Sequence, residues 1–319
     1  MTAMPPGDGS SRDGDPGPRA GREVDHFVTL AGVGGDRGTR ARLPDPPDVP
    51  RSELREQLLA GSYDRPFLIV DDERRALVFS IDGAVQSEMR LDDPDALVNE
   101  YTRKMMAFLL FCPRPRHVVM VGLGGGSLVK FCRRHLPGTR LTVVEIDAEV
   151  IALRRQFRVP PDDELFHVVH ADGARHVAAM AASAEHADVL LVDAYDRRGL
   201  ARSVASGEFL ANARSVLAGD GLFVMNLAAQ ESHCARMLQM IRATFGGPVM
   251  SVQVGCGSNA IAFAGAALGD VDRLRAVAAR ARQLQEELGL GFHRLPAMVR
   301  EYLQLTAGGA VPARHDEAG

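Results

Sequence analysis

The sequence predicts an α/β protein in which a mostly parallel sheet, closed by a terminal antiparallel hairpin, follows a small antiparallel β domain. Three observations lead there. Residues 117–147 read as apolar run, glycine cluster, amphipathic segment, apolar run and terminal acid, the first half of a nucleotide-binding βαβ unit. Short apolar runs then keep alternating with helical periodicities as far as residue 245. Finally, two runs, Val249–Val254 and 260–264, follow one another with no helix between them.

The 319 residues suffice for one large domain, or for a medium domain with a small one. A net charge of −4 gives no electrostatic case for nucleic acid or an anionic membrane. No apolar signal core opens the chain and no stretch is long enough to span a bilayer, so a cytoplasmic protein is expected. Lysine occurs only at Lys104 and Lys130, a bias better explained by codon usage than by phosphate recognition. Cys112, Cys132, Cys234 and Cys256 form no CxxC pair, no metal spacing and no disulfide framework, which fits a reducing compartment.

Taken in order, residues 1–50 are rich in glycine and proline and are expected to form a disordered tail. A helical pattern at 51–60 opens the small β domain, residues 51–112. Its stretches Phe67–Val70, 76–81 and 84–89 are parted by the polar turn 71–74 and by Asp82-Gly83, a hairpin pattern. After Pro94, residues 97–111 read as one amphipathic linking helix, with Met105, Met106 and Phe108 on its core side.

The Rossmann-like domain is expected over residues 113–305, with a flexible tail at 306–319. Strand His117–Val121 runs into Gly122, Gly124, Gly125 and Gly126, then helix Ser127–His135. Strand 141–144 ends on Glu145 and Asp147, and helix 148–157 follows. Strand Phe166–His170 ends at Asp172-Gly173 before an alanine-rich helix, 174–184. Strand 189–192 ends at Asp193; helix 208–217, strand 222–227 and helix 232–245 lead to the hairpin. Val271–Leu288 is a closing helix stopped by Gly289. That hairpin separates an S-adenosylmethionine-methyltransferase-type Rossmann fold from a dinucleotide-binding one.

In doubly wound sheets ligands sit outside the carboxyl ends of the strands. The glycine turn, Glu145, Asp172-Gly173 and Asp193 all fall at such ends, so they point to one shared site. Glycines admit positive φ and close backbone approach, and an acid after the second strand can accept from both ribose hydroxyls. Ser127 stands where the dinucleotide pattern wants its third glycine. Acids at strand ends also cap helices. His117, His135, His167, His170 and His176 share no metal-ligand spacing, and no metal is expected. Ser127 and Ser206 have no paired base for nucleophilic catalysis. Tyr195 and Asn226 remain as pocket-lining candidates.

The stretches IDGAVQSEM, VGLGGGSL, VEID, HADGA, LLVDAYD and LAGDGLFVMNL, with Tyr101 after the first, resemble the spermidine synthase (polyamine aminopropyltransferase) family in order and spacing over residues 65–265. The likeness is greatest to a divergent bacterial spermidine synthase-like branch. It implies a transferase of polyamine biosynthesis that uses decarboxylated S-adenosylmethionine as co-substrate and a small amine of the polyamine class as acceptor. A homodimer is implied by analogy.

It also implies roles. Gln86 contacts the donor nucleoside, Glu145 holds the ribose, and Asp172 with Gly173 reads the adenine edge. Beside these, the βαβ pattern itself places Gly122, Gly124, Gly125, Gly126 and Asp147 at the donor site. Asp193 takes a proton from the attacking amine, Asp196 is the second acid of that loop, and Tyr101 is an active-site tyrosine. Two positions depart from the pattern: Gly125 replaces an aspartate that pairs with the donor's ammonium, and Tyr101-Thr102-Arg103 replaces Tyr-His-Glu, bringing positive charge toward the amine pocket. The alternatives are a methyltransferase using intact S-adenosylmethionine on an unknown acceptor and a non-catalytic member of the fold. Ser127, Asp172-Gly173 and the closing hairpin disfavour an NAD oxidoreductase.

Overall fold

The computed structural model describes residues 26–29, 40–44, 47–80, 83, 85–183, 185–228, 233–255 and 259–292. The smaller of its two main sheets has five antiparallel strands in chain order, β1 (His26–Thr29), β2 (Arg40–Leu43), β3 (Phe67–Val70), β4 (Arg74–Val78) and β5 (Ser87–Arg90). Helix α1 (Arg51–Leu59) packs Leu54 and Leu58 against Val28, Ala41, Leu43, Phe67 and Val78. Asp71 closes the β3–β4 turn by accepting from the backbone N–H groups of Glu73 and Arg74 at 2.9 and 2.7 Å.

Strands β1 and β2 correct the expectation of a disordered tail through residue 50. Four-residue strands are too short for their alternation to show through a glycine- and proline-rich segment, yet Val28, Ala41 and Leu43 are buried. The expected tail at 306–319 and residues 81, 82 and 84 of the expected hairpin turn lie outside the described residues.

The linking helix is shorter than 97–111. Helix α2 (Glu100–Met105) passes into a 3₁₀ turn at Met106–Leu110, every residue of which is buried. Residues ahead of it stay non-helical because side chains take their carbonyls: Thr102 Oγ1 donates to Asn99 O at 2.6 Å, and Arg103 donates to Leu97 O and Val98 O at 2.5 and 2.7 Å.

The larger sheet comprises β6 (His117–Val121), β7 (Arg140–Glu145), β8 (Phe166–His170), β9 (Ala187–Val192), β12 (Leu217–Ala228), β13 (Val249–Val254) and β14 (Asn259–Ala264). A two-stranded ribbon, β10 (Tyr195–Asp196) with β11 (Gly199–Leu200), follows β9. The order across the sheet is β13-β14-β12-β9-β6-β7-β8. Pairings among β12, β9, β6, β7 and β8 are parallel, while β14 runs antiparallel to β12 on one side and β13 on the other. The final strand of the sheet is thus an interior strand.

Alternation along β6 feeds two apolar layers. Val118 and Met120 join the layer containing Leu128 and Phe131 of α3 (Ser127–His135), Val150 of α4 (Ala148–Ala152) and Val277 of α8 (Val271–Leu288). Val119 and Val121 face Val177 of α5 (Gly173–Ser183), Phe209 of α6 (Gly207–Ser215) and Met237 of α7 (His233–Phe245). Helix 148–157 was too long an expectation: α4 gives way to a 3₁₀ turn at Leu153–Arg155. From β6 the chain moves outward to β7 and β8, then returns to β9 on the other side of β6. The switch in strand order therefore lies between β6 and β9.

Candidate active site

At the switch point the ends of β6 and β9 come so close that only glycine fits. Gly122 has φ 101°, and a Cβ there would lie 2.1 Å from the carbonyl oxygen of Asp193. Gly122, Leu123 and Gly124 line a cavity of about 990 Å³, at the upper end of the size range of small-molecule sites. Gly125 and Gly126 are absent from that wall. A Cβ on Gly125 would press on Ser87 Oγ at 2.6 Å and the Phe157 ring at 2.8 Å, and one on Gly126 would meet Val159 Cγ2 at 2.3 Å. These two glycines serve packing, with Gly126 in the left-handed conformation ahead of α3.

Glu145, at the end of β7, is only 8% exposed and still lines the cavity. Its two oxygens accept from Leu123 N at 2.8 Å and Asp147 N at 2.9 Å, which ties the glycine loop to the strand. Each oxygen retains acceptor capacity for a hydroxyl donor. Asp147 sits at the cavity edge and caps α4, accepting from Glu149 N at 2.8 Å and Val150 N at 3.4 Å. Ile146 between them is a largely exposed apolar side chain on the same wall.

Asp172 and Gly173 stand where β8 gives way to α5, and both line the cavity. Asp172 accepts from Arg175 N at 3.0 Å. A Cβ on Gly173 would lie 2.2 Å from Val121 Cγ1, so glycine lets α5 settle directly on β6.

Asp193 follows β9, is part-buried and lines the cavity. Asn226, 3% exposed on β12, donates from Nδ2 to Asp193 Oδ1 at 2.9 Å, and the Tyr101 hydroxyl of α2 donates to the same carboxylate. Burial pushes the Asp193 carboxyl above its ordinary range, while those two donors pull it back. Burial, and then the neighbouring carboxylate, push the Tyr101 phenol well above its usual value, so it stays a proton donor. Tyr195 lines the cavity and its hydroxyl donates to Asn226 O at 3.2 Å.

Asp196 is exposed on the ribbon at the cavity rim and accepts from Arg198 N at 2.6 Å. Gln86 lines the opposite wall, its backbone fixed by a 2.9 Å bond to Leu77 O. Glu145, Asp172 and Asp193 therefore open onto one hollow. Thr102 also lines it, but Arg103 does not, because its guanidinium is spent on the carbonyls of Leu97 and Val98. This corrects the expectation of positive charge from Arg103 in the amine pocket. The arginines that do line the cavity are Arg197, Arg198 and Arg202.

Sequence reading missed Asn259, the first residue of β14, whose Nδ2 donates to Asn226 Oδ1 at 2.9 Å. It also missed Ser87, whose hydroxyl lies 3.4 Å from that of Ser127 on the cavity wall. Among the described residues no cluster of three or more His, Cys, Asp or Glu side chains is placed to hold a metal. No described helix is long and apolar enough to cross a membrane.

The strand order, with its inserted antiparallel strand and its cavity at the switch point, defines a Rossmann-like α/β protein with a small-molecule site at its strand ends. A family model for the spermine/spermidine synthase domain matches residues 99–252. A polyamine aminopropyltransferase of Neisseria meningitidis serogroup A is 34% identical over 215 residues, covering 67% of this chain and 81% of its own. One from Chromobacterium violaceum is 31% identical over 225 residues, 70% of this chain and 85% of its own. The crystal structure of a probable spermidine synthase from Corynebacterium glutamicum shares the fold, with a TM-score of 0.55 at 20% identity over 80% of this chain and 95% of its own. The chain belongs to the spermine/spermidine synthase family.

Proposed function

We propose that this protein transfers the aminopropyl group of decarboxylated S-adenosylmethionine to a small amine of the polyamine class, with Asp193 as the base. The observation that carries this is the convergence of Glu145 and the Tyr101–Asp193–Asn226 cluster on one cavity at the switch point. Glu145 would take the ribose hydroxyls, Asp172 and Gly173 the adenine edge, and Gln86 the nucleoside from the small sheet. Ile146 offers an apolar surface to the purine.

The donor already carries its leaving group, so the enzyme mostly has to hold the amine in line with the carbon next to sulfur. Positioning of this kind can supply up to roughly 7–11 kcal/mol. The acceptor reaches the cavity as an ammonium and surrenders one proton to Asp193. Its nitrogen lone pair then forms the N–C bond as the C–S bond breaks, and the bonding pair leaves on sulfur as methylthioadenosine. Burial raises the proton affinity of Asp193, making it a better match for an ammonium than an exposed carboxylate. The active form is deprotonated, so the rate rises with pH through the Asp193 titration.

Gly125 favours a second reading at the donor tail. The space beside it is taken by Ser87 Oγ and the Phe157 ring, and the cavity-lining group nearest that position is the neutral Ser87 hydroxyl where the resembling pattern has a carboxylate. A neutral wall does not repel the carboxylate of intact S-adenosylmethionine, which supports methyl transfer as the alternative. Calorimetry with the two sulfonium nucleosides and product analysis with a diamine separate the readings. Aminopropylated diamine and methylthioadenosine are expected; methylated acceptor with S-adenosylhomocysteine would overturn the proposal.

A further inference from the structure

We infer that Asn226 and Asn259 form an amide relay that positions Asp193 and holds it in its base form, with Asn259 acting only through Asn226. The inference rests on the assignment of Asp193 as base. Three elements meet here: Asp193 after β9, Asn226 near the end of β12 and Asn259 at the start of β14. Register fixes the meeting, since Asn226 pairs across from Ile261 and Ala228 from Asn259. The contacts run Asn259 Nδ2 to Asn226 Oδ1 at 2.9 Å, then Asn226 Nδ2 to Asp193 Oδ1 at 2.9 Å.

A carboxamide has a donor end and an acceptor end, and turning it over costs little unless its neighbours object. If Asn226 turned over, its Oδ1 would face Asp193 Oδ1. Two acceptors tolerate that only when a proton lies between them, that is, when Asp193 is protonated and useless as a base. Asn259 opposes the turn by presenting N–H to the Asn226 oxygen. The Tyr195 hydroxyl, bonded to Asn226 O at 3.2 Å, steadies the main chain at the same residue. Among the described residues, the side chains acting on Asp193 are Asn226 from β12 and Tyr101 from α2, and Tyr195 of the ribbon acts electrostatically on the Tyr101 phenol. Asn226 is therefore the neutral donor that the relay can aim or misdirect.

The relay makes Asn259 a positioning residue, and pH profiles test it. In the full-length protein, Asn226→Leu should move the rising limb of kcat/KM upward by about one pH unit, with activity regained at higher pH. Asn259→Ala should shift it in the same direction by less, and Asn259→Ser, which keeps a donor, should restore part of the shift. The double variant should match Asn226→Leu alone, because Asn259 reaches the carboxylate through the Asn226 amide. Donor affinity measured by calorimetry should stay within about twofold throughout, since the nucleoside is assigned to Gln86, Glu145, Asp172 and Gly173 and not to either asparagine. Carbon-13 NMR titration of the Asp193 carboxyl should show the same displacements without any turnover.

Additive shifts in the double variant, or an unmoved limb with only a lower melting temperature, would overturn the relay. A wild-type protein that transfers no aminopropyl group would instead overturn the assigned reaction, and the NMR titration would still decide the relay.

Discussion

Burial makes the charge on Asp193 costly, and the Tyr101 hydroxyl and Asn226 amide offset part of that cost. A residue held this way can be changed without dismantling the nucleoside wall. Asp193→Asn is expected to lower transfer by roughly 10²–10⁴-fold while calorimetric donor affinity changes little; unaltered turnover would remove it from the mechanism. Glu145 has the opposite profile, because it binds both Leu123 N and Asp147 N while facing the cavity. Glu145→Ala should weaken donor binding on the order of tenfold or more, and equal affinity in that variant would refute its ribose role. The three acids could be read from the sequence because each lies at a strand end, where position alone implies the cavity. Asn259 could not, since its contact with Asn226 depends on the pairing register of β12 with β14. Arg103 was misplaced for a related reason: linear neighbours of Tyr101 do not reveal that its side chain folds back onto residues 97 and 98.

Among the elements, α3 carries a lysine almost wholly out of water. Lys130 is 3% exposed, its Nζ donates to Phe157 O at 2.9 Å, and burial lowers its pKa to about 8 from the ordinary 10.5. Between those values the unfolded chain binds the proton more readily than the folded one. This cost is fully present below about 8 and fades as pH rises through the window. Denaturant unfolding on either side of the window should show Lys130→Met losing that pH dependence relative to wild type; parallel curves would mean that the lysine titrates normally.

Strands β1 and β2 add the buried side chains Val28, Ala41 and Leu43 to the small core. Removing residues 1–46 should therefore lower the midpoint of thermal unfolding, each lost large apolar contact being worth about 1.5–3 kcal/mol at full burial. An unchanged midpoint would show that these strands contribute nothing. Long periodic segments such as α8 were legible because they repeat the pattern over many turns. The four-residue strands were not, because chance alternation is as long as they are.

Across the whole molecule, the cavity belongs to neither sheet alone. Leu77 of β4, Ser87 of β5 and Phe79 and Gln86 of the connection between them line it together with the strand ends of the large sheet. A nucleoside bound there would tie the two together, so donor at a hundredfold excess over Kd should stabilise the folded state by about 2.7 kcal/mol. Differential scanning calorimetry with and without donor checks this, and a midpoint indifferent to donor would exclude binding to the native state.

The insertion of β14 between β12 and β13 has a consequence during biosynthesis. A nascent chain released only as far as β13 has no partner for the long outer edge of β12, and that edge is a template for pairing with other chains. The strand that covers it leaves the ribosome after every other described strand of the sheet. Premature truncation before Asn259 should accordingly yield aggregates, whereas the chain carried through Phe292, whose buried side chain completes the core against that sheet, should stay soluble.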